Sequence, residues 1–274
     1  MTPAFRLSHV ALSTGVRMHY AESGNPAGDP IVFVHGWPDS WFSYSRVLPL
    51  LRDRFHAFAI DLRGFGASDK PASGYSIPGF ANDVVAFLDA LAIRRAALVG
   101  HSYGSFVARR TALAHPLRVA SLMLIGTGFR PATNPVVIDL KASLRDLPDP
   151  IPIGFARDFQ STTIHRPIAP DFFDGLIAES LKLPRRLWPL LIDRLAAYDD
   201  TTQLRQIAAP TLLLWGDRDA LFSRQEQDRF LEALPTARLT LYDDTGHCPN
   251  WERPEDVAND VAAFVDAHRS SAIG

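Results

Sequence analysis

Short, wholly apolar runs alternate along this chain with stretches whose apolar residues recur every three or four positions. That order predicts a mostly parallel sheet with helices on both faces. The opening differs. Residues 5–12 and 16–23 read as two strands around Ser13-Thr14-Gly15, a tight-turn signal, so an antiparallel hairpin begins the fold. Ile31-Val32-Phe33-Val34 is a continuous apolar run, which suits a strand buried on both faces. A helix is expected from near Pro38 to near Arg52, then a strand over 55–61. Phe80, Val84, Phe87, Leu88 and Leu91 fall at helical spacing and predict a helix over 79–92. Ala96 to Gly100 reads as a further buried strand, followed by a helix from Tyr103 to Ala114 that stops near Pro116, and by a strand from Val119 to Ile125.

The alternation then breaks. Residues 129–203 are rich in proline, show no clear strand, and carry Phe155, Phe159, Phe172, Phe173, Trp188 and Tyr198. Beyond Pro210 the pattern resumes, with strands at Thr211–Trp215 and Ala237–Tyr242. Ser223 with Glu226 has the spacing of a capping box. Pro254, Glu255 and Asp256 suit the first turn of a last helix. The expected architecture is therefore an α/β core domain made of residues 1–128 and 204–274, with a helical lid inserted over 129–203.

Composition narrows the function classes. A chain of 274 residues with 47% hydrophobic content can bury one large core, and a net charge of -2 offers no electrostatic footprint for nucleic acid. Cys248 is the one cysteine, so an intrachain disulfide is excluded, which suits a reducing compartment. Arg6, His9 and Arg17 interrupt the first residues, no apolar run reaches signal or membrane length, and a cytoplasmic protein is expected. The oligomeric state is not legible.

Gly100-His101-Ser102-Tyr103-Gly104 lies between a predicted strand and a predicted helix. A chain that reverses there strains the serine backbone and exposes its hydroxyl, and the flanking glycines leave room for the turn. A serine needs a base to take its proton. His247, in Thr245-Gly246-His247-Cys248 after the last strand, is the candidate. His101 adjoins the serine but is expected to point away from it, and His35 sits in the loop after an early strand. The base needs an orienting carboxylate. Gly216-Asp217-Arg218-Asp219 closes a strand, and either aspartate can serve. The order Ser, Asp, His follows.

With these motifs in view, the sequence resembles the α/β-hydrolase superfamily over nearly its whole length. The matching stretches are His35-Gly36-Trp37-Pro38, Asp61-Leu62-Arg63-Gly64-Phe65-Gly66-Ala67-Ser68, the serine turn, Trp215-Gly216-Asp217-Arg218-Asp219, and Gly246-His247 with Trp251-Glu252-Arg253-Pro254. The resemblance implies that Asp219, rather than Asp217, is the catalytic acid, and that the Trp37 and Tyr103 N–H groups form the oxyanion hole. It also implies a structural role for Asp61 and Arg63. The segment His35 to Trp41 is similar to the loop of epoxide hydrolases, which use an aspartate nucleophile. Here the nucleophile position holds Ser102, whose ether product from an epoxide would resist water, so acyl transfer is the coherent chemistry.

A catalytic triad of Ser102, Asp219 and His247 acting on a small-molecule ester or lactone is therefore expected, with no cofactor, no metal, and no nucleic-acid or membrane partner. Trp37, Tyr103 and Phe129 are the candidate substrate contacts. Lys182, Arg185, Arg186 and Arg194 make part of the insertion basic, which suits an anionic substrate or a solvated helix face. A carbon–carbon bond hydrolase, a cofactor-free perhydrolase and a slow ligand-binding receptor share the same triad and stay open.

Overall fold

The computed structural model describes residues 5–269. Its strands are β1 (Arg6–Ala11), β2 (Arg17–Gly24), β3 (Asp29–Val34), β4 (Phe55–Ile60), β5 (Ala96–His101), β6 (Val119–Ile125), β7 (Thr211–Gly216) and β8 (Arg238–Tyr242). They form one eight-stranded sheet in the order β1-β2-β4-β3-β5-β6-β7-β8. β1 and β2 are the expected hairpin, β2 runs antiparallel to β4, and every later pair is parallel.

The continuous apolar runs have a plain cause. Successive strand residues face opposite sides, and both sides are covered. Ile31, Phe33, Val99 and Ile125 pack in one layer with α1 (Leu48–Leu51) and α10 (Pro254–Ala267), through Leu48, Leu51, Val257, Val261 and Val265. Val32, Val34, Leu98 and Leu124 pack in the other with α2 (Ile77–Ala90) and α3 (Tyr103–Ala114), through Phe80, Val84, Phe87, Phe106 and Val107. α2 starts at Ile77, ahead of the expected residue 79, because the Ser76 side chain accepts the Gly79 amide and Pro78 is harmless in a first turn.

The long helix expected from Pro38 to Arg52 does not form. Trp37-Pro38 is cis, the Asp39 amide closes a turn onto the Gly36 carbonyl, and a short 3-10 turn over Trp41–Tyr44 precedes α1. The backbone is satisfied from elsewhere: Ser40 Oγ accepts the Phe42 amide, and Asp61 Oδ1 accepts the Trp41 amide at 2.7 Å.

Between β6 and β7 lie α4 (Pro135–Ser143), α5 (Ile153–Thr162), α6 (Pro170–Ser180) and α7 (Leu187–Ala196). The prolines partition this stretch rather than unfold it: Pro135 and Pro170 open helices, and Pro152 caps one. Arg109 of α3 pins both ends of the insertion. It donates to the Gly128 carbonyl at 2.7 Å and pairs through Nε and Nη2 with Asp200, and both members of that pair are buried. The basic stretch is largely occupied with packing. Arg185 donates to the Leu147 and Arg145 carbonyls, and Arg186 to those of Lys70 and Pro71. The final elements are α8 (Arg224–Ala233), α9 (Pro249–Glu252) and α10. No helix among the described residues is long and apolar enough to cross a membrane.

Candidate active site

Ser102 occupies the sharp turn from β5 into α3, with φ 50° and ψ −118°, a region that side-chain-bearing residues rarely adopt. The Ser102 amide donates to the Ile125 carbonyl at 2.9 Å, and Ser105 Oγ donates to the Ser102 carbonyl at 2.5 Å. These bonds fix the strained residue from both sides. The glycines are required sterically. A Cβ on Gly104 would lie 2.3 Å from the Val34 carbonyl oxygen, and one on Gly100 would lie 2.5 Å from the Gly104 carbonyl oxygen. Tyr103 opens α3, so its N–H has no acceptor within the helix and sits at the positive end of the helix dipole.

His247 lies in the loop between β8 and α9, and its Nδ1 is 2.9 Å from Asp219 Oδ2. The other carboxylate oxygen of Asp219 accepts the Leu221 and Phe222 amides at 2.8 and 3.0 Å. An acid so held makes Nδ1 the proton-bearing nitrogen and leaves Nε2 as the acceptor. Nε2 is buried with no hydrogen-bond partner, so it makes no hydrogen bond to Ser102 in this structure. Asp217 serves another purpose: its Oδ1 accepts the Thr245 amide at 3.3 Å.

The histidine loop is clamped by residues other than Ser102 and Asp219. The His247 amide donates to the Thr163 carbonyl at 2.9 Å, which ties it to the inserted helices. Glu252 accepts the Gly246 amide at 3.0 Å and the Arg166 amide at 2.7 Å, while Arg253 donates to Thr245 Oγ1 and the Asp243 carbonyl. The Trp-Glu-Arg-Pro stretch thus works as a bracket for His247. Burial pushes the Glu252 carboxyl up from its ordinary value. The Phe222 ring packs at 5.6 Å from the imidazole, centroid to centroid.

Gly36-Trp37 abuts the serine, since a Cβ on Gly36 would be 3.2 Å from Ser102 Cβ. The Trp37 ring stands edge-on to Phe159 and Trp188, at 4.9 and 5.0 Å between centroids, so inserted helices α5 and α7 cover it. Tyr103 is buried among Phe65 and Phe80, and burial pushes its phenol well above the ordinary value. Phe129 packs against the same apolar core as Trp37 and Tyr103. Its amide donates to Glu226 Oε1 at 3.3 Å, and it lines an open cleft of about 500 Å³ with Thr201, Arg205 and Arg229.

His35 and His101 are buried, and burial holds both rings below the ordinary histidine value. His35 places Nδ1 2.7 Å from the Gly36 carbonyl and accepts the Leu62 amide at Nε2, so it braces the loop after β3. His101 packs against His247. Asp39 and Gln160 also enter the site, and sequence patterning alone singled out neither. Cys248 is buried beside His247, with its thiol pushed up by burial. Among the described residues no group of three or more His, Cys, Asp or Glu has the arrangement to hold a metal ion.

This geometry agrees with what the chain is similar to. A family model described as the alpha/beta hydrolase fold matches residues 29–254. Lipase 3 of Moraxella sp. (strain TA144) is 28% identical over 268 residues, spanning 94% of this chain and 84% of that protein. A non-heme chloroperoxidase of Streptomyces lividans is 30% identical over 284 residues, spanning 93% of this chain and 98% of that protein. Among solved structures, an esterase from Rhodococcus sp. ECU1013 matches with a TM-score of 0.81 at 26% identity, over 96% of this chain and 99% of that one. With the serine turn, the acid and the histidine loop all following the carboxyl ends of parallel strands, the chain belongs to the α/β-hydrolase fold family.

Proposed function

We propose that this protein is a serine hydrolase that cleaves a carboxylic ester or lactone of a small to medium apolar substrate through an acyl-enzyme on Ser102. The observation that carries this reading is the pairing of a strained Ser102 at φ 50° with a buried His247–Asp219 couple at 2.9 Å. Ser102 Oγ attacks the carbonyl while His247 Nε2 takes its proton. The N–H groups of Trp37 and Tyr103 receive the oxyanion, a contribution typically worth ~10²–10³ in turnover per donor. His247 then protonates the leaving alcohol. In the second half it activates water, which releases the acid and restores the serine.

The helices between β6 and β7 act in this reading as a lid, and Trp37 with Phe159 and Trp188 forms its apolar wall. The lipase and esterase relatives support ester chemistry. The test is hydrolysis of p-nitrophenyl esters from acetate to octanoate, beside Ser102→Ala. Turnover that vanishes in the variant, with a chain-length optimum, is the expected result. A folded wild type without turnover, or a variant as active as the wild type, overturns the reading.

The full-length similarity to a chloroperoxidase favours a second reading. Hydrogen peroxide would replace water in attacking the acyl-enzyme, giving a peracid and free Ser102. Peracid formed from acetate and hydrogen peroxide, at a rate exceeding ester hydrolysis, would make perhydrolysis the main activity.

A further inference from the structure

A second acid and a second histidine lie against the serine turn, and the cycle outlined above uses neither. Asp39 is 2% exposed. Its amide closes the turn onto the Gly36 carbonyl at 3.2 Å, so the carboxyl belongs to the same tight turn as Trp37. Oδ1 accepts from Gln160 Nε2 at 2.8 Å, and that amide nitrogen also donates to Ser180 Oγ at 2.9 Å. Oδ2 stands 3.9 Å from His101 Nδ1.

His101 connects this acid to the triad. Its ring centroid is 5.1 Å from that of His247, and its Nε2 lies 3.2 Å from the His247 carbonyl oxygen. Because a carbonyl only accepts, Nε2 carries the proton, and the buried Nδ1 is left as a lone pair with no partner. A Cβ on Gly36 would meet His101 Nδ1 at 3.0 Å, Asp39 Oδ2 at 3.1 Å and Ser102 Cβ at 3.2 Å. Acid, ring and nucleophile therefore border one methyl-sized space. The other titratable groups that interact with Asp39 are Tyr44, Cys248 and His247. Burial holds Tyr44 and Cys248 neutral by raising both, and holds His101 neutral by lowering it.

We propose that Asp39 is a positioning residue of this site, a second carboxylate that must be ionised for full turnover because, seated on Gln160 and acting across the neutral His101, it balances the positive charge His247 gains from Ser102. The inference rests on the serine-hydrolase reading. The opposite state is also built in. A protonated Asp39 has an O–H to donate, and the orphaned His101 Nδ1 is the acceptor that faces it. The site then holds one negative charge fewer when His247 must become cationic. Burial pushes the Asp39 carboxyl up to about 6, against the opposing hydrogen bond from Gln160, so this exchange falls in the mildly acidic range.

The experiment is the acid side of the pH–rate profile with p-nitrophenyl butyrate. In the wild type the loss of His247 as base is joined by the roughly ten-fold loss that accompanies Asp39 protonation, so log kcat/KM should fall with a slope steeper than one where the two titrations overlap. Asp39→Asn imitates the protonated acid, since its oxygen accepts from Gln160 and its nitrogen donates to His101. It should lower plateau kcat by roughly ten-fold and hold the slope at one throughout the acid limb. Gln160→Leu removes the donor that favours the carboxylate, and should move one inflection upward by roughly one pH unit. A merely structural role for either residue lowers activity without changing the slope or the midpoint.

A wild-type slope that nowhere exceeds one, with the same midpoint in Asp39→Asn, overturns the proposal whatever the loss in kcat. If Asp39→Asn does not fold, Gln160→Leu decides, and an unmoved profile overturns it. A folded wild type that neither hydrolyses an ester nor is labelled at Ser102 by a fluorophosphonate defeats the serine-hydrolase reading, and this inference with it. Turnover whose pH profile ignores both substitutions defeats the Asp39 assignment alone.

Discussion

Asp219 divides its carboxylate between two tasks, giving Oδ2 to His247 Nδ1 at 2.9 Å and Oδ1 to the amides of Leu221 and Phe222. The second task holds the acid rigid while the first chooses the tautomer. Asp219→Asn should therefore keep its place, because an amide oxygen still accepts those two amides. Its nitrogen would then face Nδ1 and force the proton onto Nε2, where it blocks acceptance from Ser102. The expected loss in kcat is roughly 10³–10⁴ with an unchanged melting temperature. Asp217→Asn should stay within a few-fold of wild type, as Asp217 touches the histidine loop only through the Thr245 amide. Steady-state kinetics on a p-nitrophenyl ester, with thermal melts of both variants, checks the pair.

Asp39 also makes stability depend on pH. Its carboxyl titrates at about 6 in the fold against an ordinary value of 3.8. Between those values the folded protein binds more protons than the unfolded chain, so stability falls as pH rises. The contribution is fully present below the unfolded value and is lost as pH climbs through about 6, a change on the order of 3 kcal/mol. Asp39→Asn carries no such proton. Denaturant melts at pH 4 and pH 8 should show the variant gaining on the wild type at the higher pH. A difference that is flat across this range would contradict the assignment.

The Arg109–Asp200 pair is buried and holds the two ends of the insertion. Arg109→Met leaves the Asp200 carboxylate buried without its partner, at a cost of about 3–5 kcal/mol. Asp200→Leu in the same chain removes that orphaned charge, so the double variant should recover much of the loss. Urea unfolding of the two single variants and the double variant measures the coupling. Strict additivity would mean that the pair is no unit.

Trp37 gives its backbone N–H to the proposed oxyanion hole and its ring to Phe159 and Trp188. Trp37→Ala keeps the former and deletes the latter. For p-nitrophenyl acetate kcat should change by less than about ten-fold, because the amide donor remains. The KM for longer acyl chains should fall as the pocket deepens, which moves the chain-length optimum upward. A uniform fall in kcat across the series, with the optimum unmoved, would mean that the ring positions the amide rather than sizes the pocket.

Ser102 was legible in the sequence because its demands are local. The strained turn is announced by Gly100 and Gly104, two residues away on either side, and by the apolar run that feeds it. The strands were legible for the same reason, since alternate residues of Ile31 to Val34 are buried in opposite layers. Asp219 and His247 are legible as candidates because each lies in a loop that follows a strand, and the choice of Asp219 over Asp217 rests on resemblance. Sequence patterning erred where distant groups satisfy the backbone. Residues 38–52 have helical character, but Asp61 takes the Trp41 amide and the turn at Gly36–Asp39 redirects the chain.

The contacts with no local signature arise from the packing of elements distant in sequence. Asp39 meets Gln160 across 121 positions, and His247 leans on the Thr163 carbonyl, because the insertion folds back over the strand ends. Phe129 adjoins the last residues of the core in sequence, yet the Glu226 carboxylate draws its backbone toward α8. A periodic pattern reports which face of an element is buried, since burial is an average over a whole face. Which partner a single polar atom finds depends on the relative placement of elements, and the pattern does not carry it.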